Sequence, residues 1–316
     1  MTFEIVVNPA GAGGRGKGTW ESLEPMFQGT EYNVHYSSED RSIREIVHDL
    51  TSRGRPVNLV ILGGDGSMNE AVNGIADFSL VRLGLIPSGS ANDLAKDIGV
   101  APTAEEQVAR ILRGEAVRSI DVGEVILHNW QDPDNGLGPT EGEQRMRFNV
   151  SCGVGWDAEI CYWADHSPMK KTLNRLRLGK LIYIAEAIRT VFGMDPFECR
   201  VNAGDQTGVL DKCVFCAVMN HRFEGGGFMF GPHAKNDDGI LDMCAVNDIS
   251  VPAFFMMFPK AYQGRQFESD YAYEVRAEEF RFQTAKPVFV HTDGEVRWLS
   301  SDISVHLLEE KLCLLF

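Results

Sequence analysis

Residues 57–74, VNLVILGGDGSMNEAVNG, narrow the choice of fold more than any other stretch of the chain. From Val57 to Leu62 every residue except Asn58 is apolar, the pattern of a strand buried on both faces of a parallel sheet. The run stops at Gly63-Gly64-Asp65-Gly66-Ser67, after which Met68, Ala71, Val72 and Ile75 recur at helical spacing. Glycines between a strand and a helix permit positive φ and let backbone N–H groups approach a ligand without interference from a Cβ. The start of the helix adds unpaired N–H groups and the positive end of a dipole, so the loop suits an anion, most readily phosphate. Asp65 would repel phosphate unless a cation lay between them, so the pattern points to phosphate together with Mg2+. The same residues also suit a tight strand-to-helix turn in which Ser67 caps the helix.

The 316 residues allow two domains or one large one, and 44% hydrophobic with 24% charged residues is an ordinary globular composition. A net charge of −15 argues against nucleic acid as a partner, because binding phosphates along a strand requires clustered cations. Seven cysteines are scattered along the chain, and the first strand begins at Phe3 without space for a signal peptide, so a reducing cytoplasm is the expected compartment. Cys213 and Cys216 form a CxxC pair inside an apolar run, with no second pair to match, and read as part of a core strand. No apolar run approaches the length of a membrane span.

In chain order, FEIVVN at 3–8 reads as a buried strand ended by Pro9. The loop AGAGGRGKG follows. Its Gly11-x-Gly13-x-x-Gly16 spacing resembles a dinucleotide fingerprint, with Glu39 or Asp40 available as the ribose-binding acid, and this reading stays open. Its near match to a P-loop fails at Gly18, where a Ser or Thr would have to ligate Mg2+. Arg15 and Lys17 suit phosphate oxygens. Helices at 20–27 and 42–53, strands at 32–36 and 83–86, and a helix at 91–98 complete a βα alternation, which implies a doubly wound parallel sheet. Ligands of such sheets bind beyond the carboxyl ends of the strands. Every glycine loop lies there, as do Ser88, Ser90 and Asn92, which suit either helix capping or ligand contact. After Arg118, alternating segments at 117–127, 145–152, 197–203, 207–219, 239–246, 271–284, 287–292 and 303–308 read as antiparallel strands. Residues 128–143 read as an exposed hairpin extension, and the apolar helices at 179–193 and 252–262 as covers for the sheet.

Six motifs now stand in order: NPxxG near the start, GGDGSMNEAVNG, IPSGSANDLA, FNVSCGVGWDA at 148–158, AKNDDGILD at 234–242, and TDGE at 292–295. Together they resemble the diacylglycerol kinase-type catalytic domain of bacterial lipid kinases and sphingosine kinases, over nearly the whole chain. Ser67 and Ser90 stand where that family usually has Thr, and each keeps the hydroxyl. The resemblance implies an α/β fold: a doubly wound, phosphofructokinase- and NAD kinase-like domain at 1–122, then a β-rich, sandwich-like lipid-binding domain at 123–316. The last strand is left free to return to the first domain.

The resemblance also implies an ATP- and Mg2+-dependent transfer of the γ-phosphate to a lipid hydroxyl. ATP would lie against Asn8, Pro9, Ala10, Gly11 and Ala12, the Ser38 hydroxyl, Gly63, Gly64, Asp65, Gly66, Ser67, Met68 and Asn69, and Ser90. Asp65 joins Asp293 and Glu295 as a catalytic carboxylate, and one of the last two takes the proton from the lipid. The family's structural Mg2+ loop maps onto Lys235, Asp238 and Ile240, the outer two through backbone carbonyls. Asp93 and Asp121 are candidates for a charge network around the metal.

A lipid acceptor has to be met at a membrane surface. Residues 169–180, MKKTLNRLRLGK, carry five cations and no acid and read as a basic, partly amphipathic helix for peripheral contact with anionic lipid. Homodimerisation stays open. The aromatic residues Phe254, Phe255, Phe258 and Tyr262 recur at helical spacing and suit core packing better than a lipid tunnel. Three rivals remain: a kinase of a soluble metabolite such as NAD, an NAD-dependent oxidoreductase using the Gly11–Gly16 loop, and a lipid-binding protein whose kinase site has decayed. Asp65, Asp293 and Glu295 argue against the last.

Overall fold

The computed structural model describes residues 2–89, 91–114, 117–135, 140–168 and 180–316. Ser90 and most of the basic segment 169–180 therefore lie outside the described residues. The chain divides into two compact units, one drawn from Met1–Val122 and Glu309–Phe316, the other from Gly123–Lys170 and Lys180–Leu308.

The first unit is a six-stranded sheet built from β1 (Thr2–Val7), β2 (Glu31–Tyr36), β3 (Val57–Gly63), β4 (Val81–Pro87), β5 (Val117–Ile120) and β15 (Leu312–Leu315), in the order β2-β1-β3-β4-β15-β5. All pairings are parallel except that of β5 with β15. Ile5, Val6, Val7, Leu59, Val60, Ile61 and Leu62 are each fully buried, so the continuous apolar runs in β1 and β3 reflect cover on both faces. That cover comes from α1 (Gly11–Gly14), α2 (Gly16–Leu23), α3 (Ile43–Thr51), α4 (Asp65–Gly74), α5 (Asp93–Ile98) and α6 (Ala104–Arg113). Ser42 opens α3 with a reciprocal capping box: its hydroxyl accepts from the Glu45 N–H, and Glu45 accepts from the Ser42 N–H.

The second unit is a nine-stranded sheet of β6 (Gly123–Trp130), β7 (Thr140–Phe148), β8 (Ser151–Gly155), β9 (Phe197–Ala203), β10 (Gln206–Met219), β11 (Leu241–Asn247), β12 (Ala272–Ala277), β13 (Glu279–Thr292) and β14 (Glu295–Leu307). Its pairings are antiparallel. Phe148, Phe280 and Phe282 anchor its core. Among the described residues its α-helices are α7 (Trp156–His166), α8 (Lys180–Thr190) and α9 (Val251–Tyr262). A register shift in β10 between Cys213 and Phe215 puts Cys213 and Cys216 into one buried cluster, their sulfurs 3.7 Å apart. In a regular strand, residues three apart point to opposite faces.

Several boundaries differ from the sequence expectation. The segment 117–127 is two strands, β5 and β6, which enter different sheets. The segment 271–284 breaks at Glu278, and β13 runs on through 287–292 as one strand. β14 begins at Glu295 rather than 303; its first half is only partly buried, which blurs the apolar–polar alternation. Helices α6 and α7 were not anticipated.

Gly74 ends α4 where a Cβ would stand 2.4 Å from the carbonyl oxygen of Arg44 on α3. Gly to Ala in a helix normally gains up to about 1 kcal/mol. Here the clash with backbone reverses the sign, and Gly74→Ala is expected to lower stability by about 1–3 kcal/mol in chemical denaturation.

Candidate active site

The strand order of the first unit reverses between β1 and β3: from β1 the chain passes to β2 on one side, then to β3 and β4 on the other. At such a switch point the loops leaving adjacent strands part and open a crevice at their carboxyl ends. The loops leaving β1 and β3 hold Asn8 and Gly63-Gly64. Asn8 ties them together, its amide donating to the Ser67 hydroxyl (3.1 Å), while its Oδ1 accepts the N–H groups of Ala10 and Gly11, both at 3.1 Å. Behind this turn, a Cβ on Gly16 would stand 1.9 Å from the Asn8 carbonyl oxygen.

The loop after β4 closes against the loop after β3. The Ser88 N–H donates to the Gly63 carbonyl at 2.8 Å, and a Cβ on Gly64 would come within 2.8 Å of the Gly89 Cα. Asn92, at φ +51°, folds back to accept the Gly89 N–H and donate to its carbonyl, both at 2.9 Å. The Ser88 hydroxyl is buried without a hydrogen-bond partner. Two backbones in contact, an orphaned hydroxyl and the start of α4 fit a phosphate chain as the ligand.

Asp65 has a local role that the sequence reading did not foresee. Its carboxylate accepts the N–H groups of Asp93 (3.1 Å) and Leu94 (3.3 Å), the first residues of α5. The charge that looked misplaced beside phosphate is thus engaged by helix N–H groups. Ser67 does not cap α4, whose N-cap is Gly64. Met68 and Asn69 are buried, so Met68 can offer a ligand only backbone. Ser38 lies just past β2, bridged to Arg41. Asp93 pairs with Lys96 at 2.6 Å and Asp121 with Lys311 at 2.7 Å, so each of these acids already has a lysine.

In the second unit, Asp293-Gly294 forms the two-residue turn between β13 and β14, closed by the pair Thr292–Glu295. Both central residues have positive φ, +53° and +84°, as a type I′ hairpin requires. The Asp293 carboxylate is committed to the protein: it accepts the N–H groups of Asn149 (2.9 Å), Val150 (2.7 Å) and Ser151 (3.1 Å) and the Asn149 side-chain amide (3.3 Å).

The loop read as a Mg2+ site holds Asp238 between two donors: the Ile240 N–H at 3.2 Å and Arg276 at 3.2 Å, with Arg276 also 3.1 Å from Asp242. A hard cation there would share the Asp238 carboxylate with Arg276. Burial pushes the Asp242 carboxyl up, against the pull of Arg276.

One group escaped the sequence reading. Asp157, Glu224 and His291 meet in the interior of the second unit, with His291 Nε2 2.9 Å from Asp157 Oδ2 and 3.1 Å from Glu224 Oε1. Burial pulls the imidazole down, but Glu224 and Asp157 outweigh it and push His291 up to about 10. Glu224 is pushed up by burial and then by Asp157. Asp157 stood inside a quoted motif, but nothing local marked Glu224 or His291.

A doubly wound sheet with a glycine-lined crevice at its switch point, in a chain that also carries an antiparallel sheet with an acidic hairpin, is an arrangement suited to a nucleotide-dependent phosphotransferase. The diacylglycerol kinase catalytic domain matches residues 2–125, and the YegS C-terminal NAD kinase beta sandwich-like domain matches residues 151–302. The chain belongs to the diacylglycerol kinase-type lipid kinase family and is a kinase. It is 25% identical to YtlR of Bacillus subtilis strain 168 over 302 residues, 92% of each chain. It is 24% identical to a diacylglycerol kinase of Mycobacterium tuberculosis H37Rv over 239 residues, 75% of this chain and 70% of that one. A crystal structure of a diacylglycerol kinase from Bacillus anthracis shares the fold at TM-score 0.68 and 21% identity, covering 100% of this chain and 96% of that one.

Asp65→Ala removes the carboxylate that receives the first N–H groups of α5. A loss of about 1–2 kcal/mol is expected, the usual range for a lost cap, readable as a lower midpoint in urea.

Proposed function

We propose that this kinase transfers the γ-phosphate of Mg2+-bound ATP to the hydroxyl of a membrane lipid of the diacylglycerol or sphingoid type. The observation that carries the reading is the contact between the loops after β3 and β4, where Gly64 and Gly89 bring main chain against main chain beside the switch point. Asn8, Pro9, Ala10, Gly11 and Ala12, then Gly63 to Asn69, would hold the phosphates, with Ser38 and Ser90 supplying hydroxyls. Mg2+ bound with the nucleotide would supply charge neutralisation during transfer. Asp65 orders the cradle and stands in the same loop as the phosphates.

Within the acidic hairpin, four N–H donors engage Asp293, which suits it to holding the turn. Glu295, the first residue of β14, is then the base that takes the proton from the acceptor hydroxyl, a contribution on the order of 10²–10⁴ in rate. Peripheral contact with anionic lipid through 169–180 remains part of this reading. Nearby in sequence, Leu181, Ile188 and Phe192 are exposed at helical spacing, and Phe192 meets exposed Phe255 at 6.3 Å. Among the described residues no helix is long and apolar enough to cross a membrane.

Labelled ATP offered to vesicles containing diacylglycerol or a sphingoid base, and separately to NAD, tests the assignment. Label is expected in the lipid fraction; label in NAD alone would overturn it. Asp65→Ala and Glu295→Gln are each expected to lower turnover at least about 100-fold, with the Glu295→Gln fold intact by circular dichroism. Phe192→Glu is expected to reduce cosedimentation with anionic vesicles while leaving the KM for ATP unchanged.

A further inference from the structure

We propose that Asp157, Glu224 and His291 form a positioning triad in which a neutral His291 holds the Gly294 amide and so fixes the hairpin that presents Glu295. The proposal rests on Glu295 being the base.

Three elements contribute to the triad: α7 brings Asp157, the segment after β10 brings Glu224, and β13 brings His291, whose side chain is 0% exposed. Space for it is created by Gly153, which faces His291 across the β8–β13 ladder. A Cβ at Gly153 would stand 2.2 Å from His291 Nε2 and 2.4 Å from Asp157 Oδ2. Two carboxylates and an imidazole taken out of water are costly to keep, so such a group persists where its members satisfy one another.

The direction of one hydrogen bond decides how the proton is held. The Gly294 N–H points at His291 Nδ1 from 3.1 Å, and a backbone amide can only donate. Nδ1 must therefore present a lone pair, which leaves the ring proton on Nε2, shared between Asp157 and Glu224. A divalent cation among the three side chains would take the Nε2 lone pair, and the ring proton would then sit on Nδ1, facing the Gly294 N–H. The two carboxylates favour an imidazolium, yet an imidazolium has no acceptor for Gly294. The same net charge results when the proton resides on Glu224, the carboxyl that burial already pushes up. The Gly294 bond selects that arrangement. Other titratable groups packed around the triad are Cys152 on β8, Cys161 on α7 and Cys244 on β11, whose thiols burial pushes up, and Asp293 in the turn itself.

The hairpin is then held on both sides of its tip. The Asp293 N–H donates to the Ser151 carbonyl at 2.9 Å, the Asp293 carboxylate takes three backbone N–H groups, and the Gly294 N–H takes His291. Glu295 follows directly, so the path of its backbone is set by these contacts.

Turnover of labelled ATP with diacylglycerol in anionic vesicles, measured for the wild type, His291→Ala, His291→Gln and Glu295→Gln, tests the triad. His291→Ala is expected to lower kcat by about 10- to 100-fold, the cost of a displaced reacting group, with KM for ATP unchanged. Gln offers a carbonyl acceptor beside an amide donor and carries no charge, so His291→Gln is expected to stay within about threefold of wild type, with the same pH profile between about pH 6 and pH 9. The ring 15N shifts of His291, read without any substrate, are expected to show Nε2 protonated and Nδ1 bare. Wild-type kcat in His291→Ala with Glu295→Gln inactive would overturn the triad alone, whereas wild-type kcat in Glu295→Gln would overturn the assignment of the base. A protonated Nδ1, or a stoichiometric metal in the purified protein that is lost in His291→Ala, would overturn the neutral-imidazole arrangement.

Discussion

At the carboxyl ends of β3 and β4 main chain rests on main chain, with Gly64 against Gly89, and the rest of the nucleotide unit is arranged to permit it. A single methyl group at either position would push the two loops apart. The order β2-β1-β3-β4 places this contact next to the point where the winding reverses, so the crevice and the amides that line it arise from the same topology. The family's glycine signature is in this sense a packing requirement first and a ligand requirement second.

Both signature acids, Asp65 and Asp293, are tied into main-chain N–H groups of their own units. One receives the start of α5; the other receives the turn between β7 and β8. A carboxylate surrounded by amide donors fixes loop geometry and lets a loop carry negative charge without strain. Glu295 opens β14 and, paired with Thr292, closes the same hairpin. The two anchoring acids are thus recognisable by the main-chain N–H groups each carboxylate receives.

Much of this was legible in the sequence, and the limits have physical causes. Doubly buried strands announce themselves as unbroken apolar runs, so β1 and β3 could be read directly, and the glycine loops were legible as the turns at the carboxyl ends of the strands. The contact of Asp65 with the start of α5 was not legible, because sequence shows a charge but not the helix end that meets it. The strands of the second sheet were found where alternation was clean; β14 was truncated because its first half is half-buried on both sides. His291 and Glu224 stayed hidden because their meaning lies in a contact between β13 and a loop some seventy residues away, which no local pattern encodes. Membership in the family, by contrast, rested on six motifs in order and needed no structure.

The insertion of β15 between β4 and β5 has a consequence for how the chain comes into being. Every other strand of the nucleotide unit has been synthesised by Ile120, yet β5 is joined to the sheet only through Leu312–Leu315. On the ribosome the emerging half has an open slot in its sheet, and the whole antiparallel unit must be made before the last residues can fill it. Closure of the sheet depends on contacts between distant parts of the chain, which makes it a slow step.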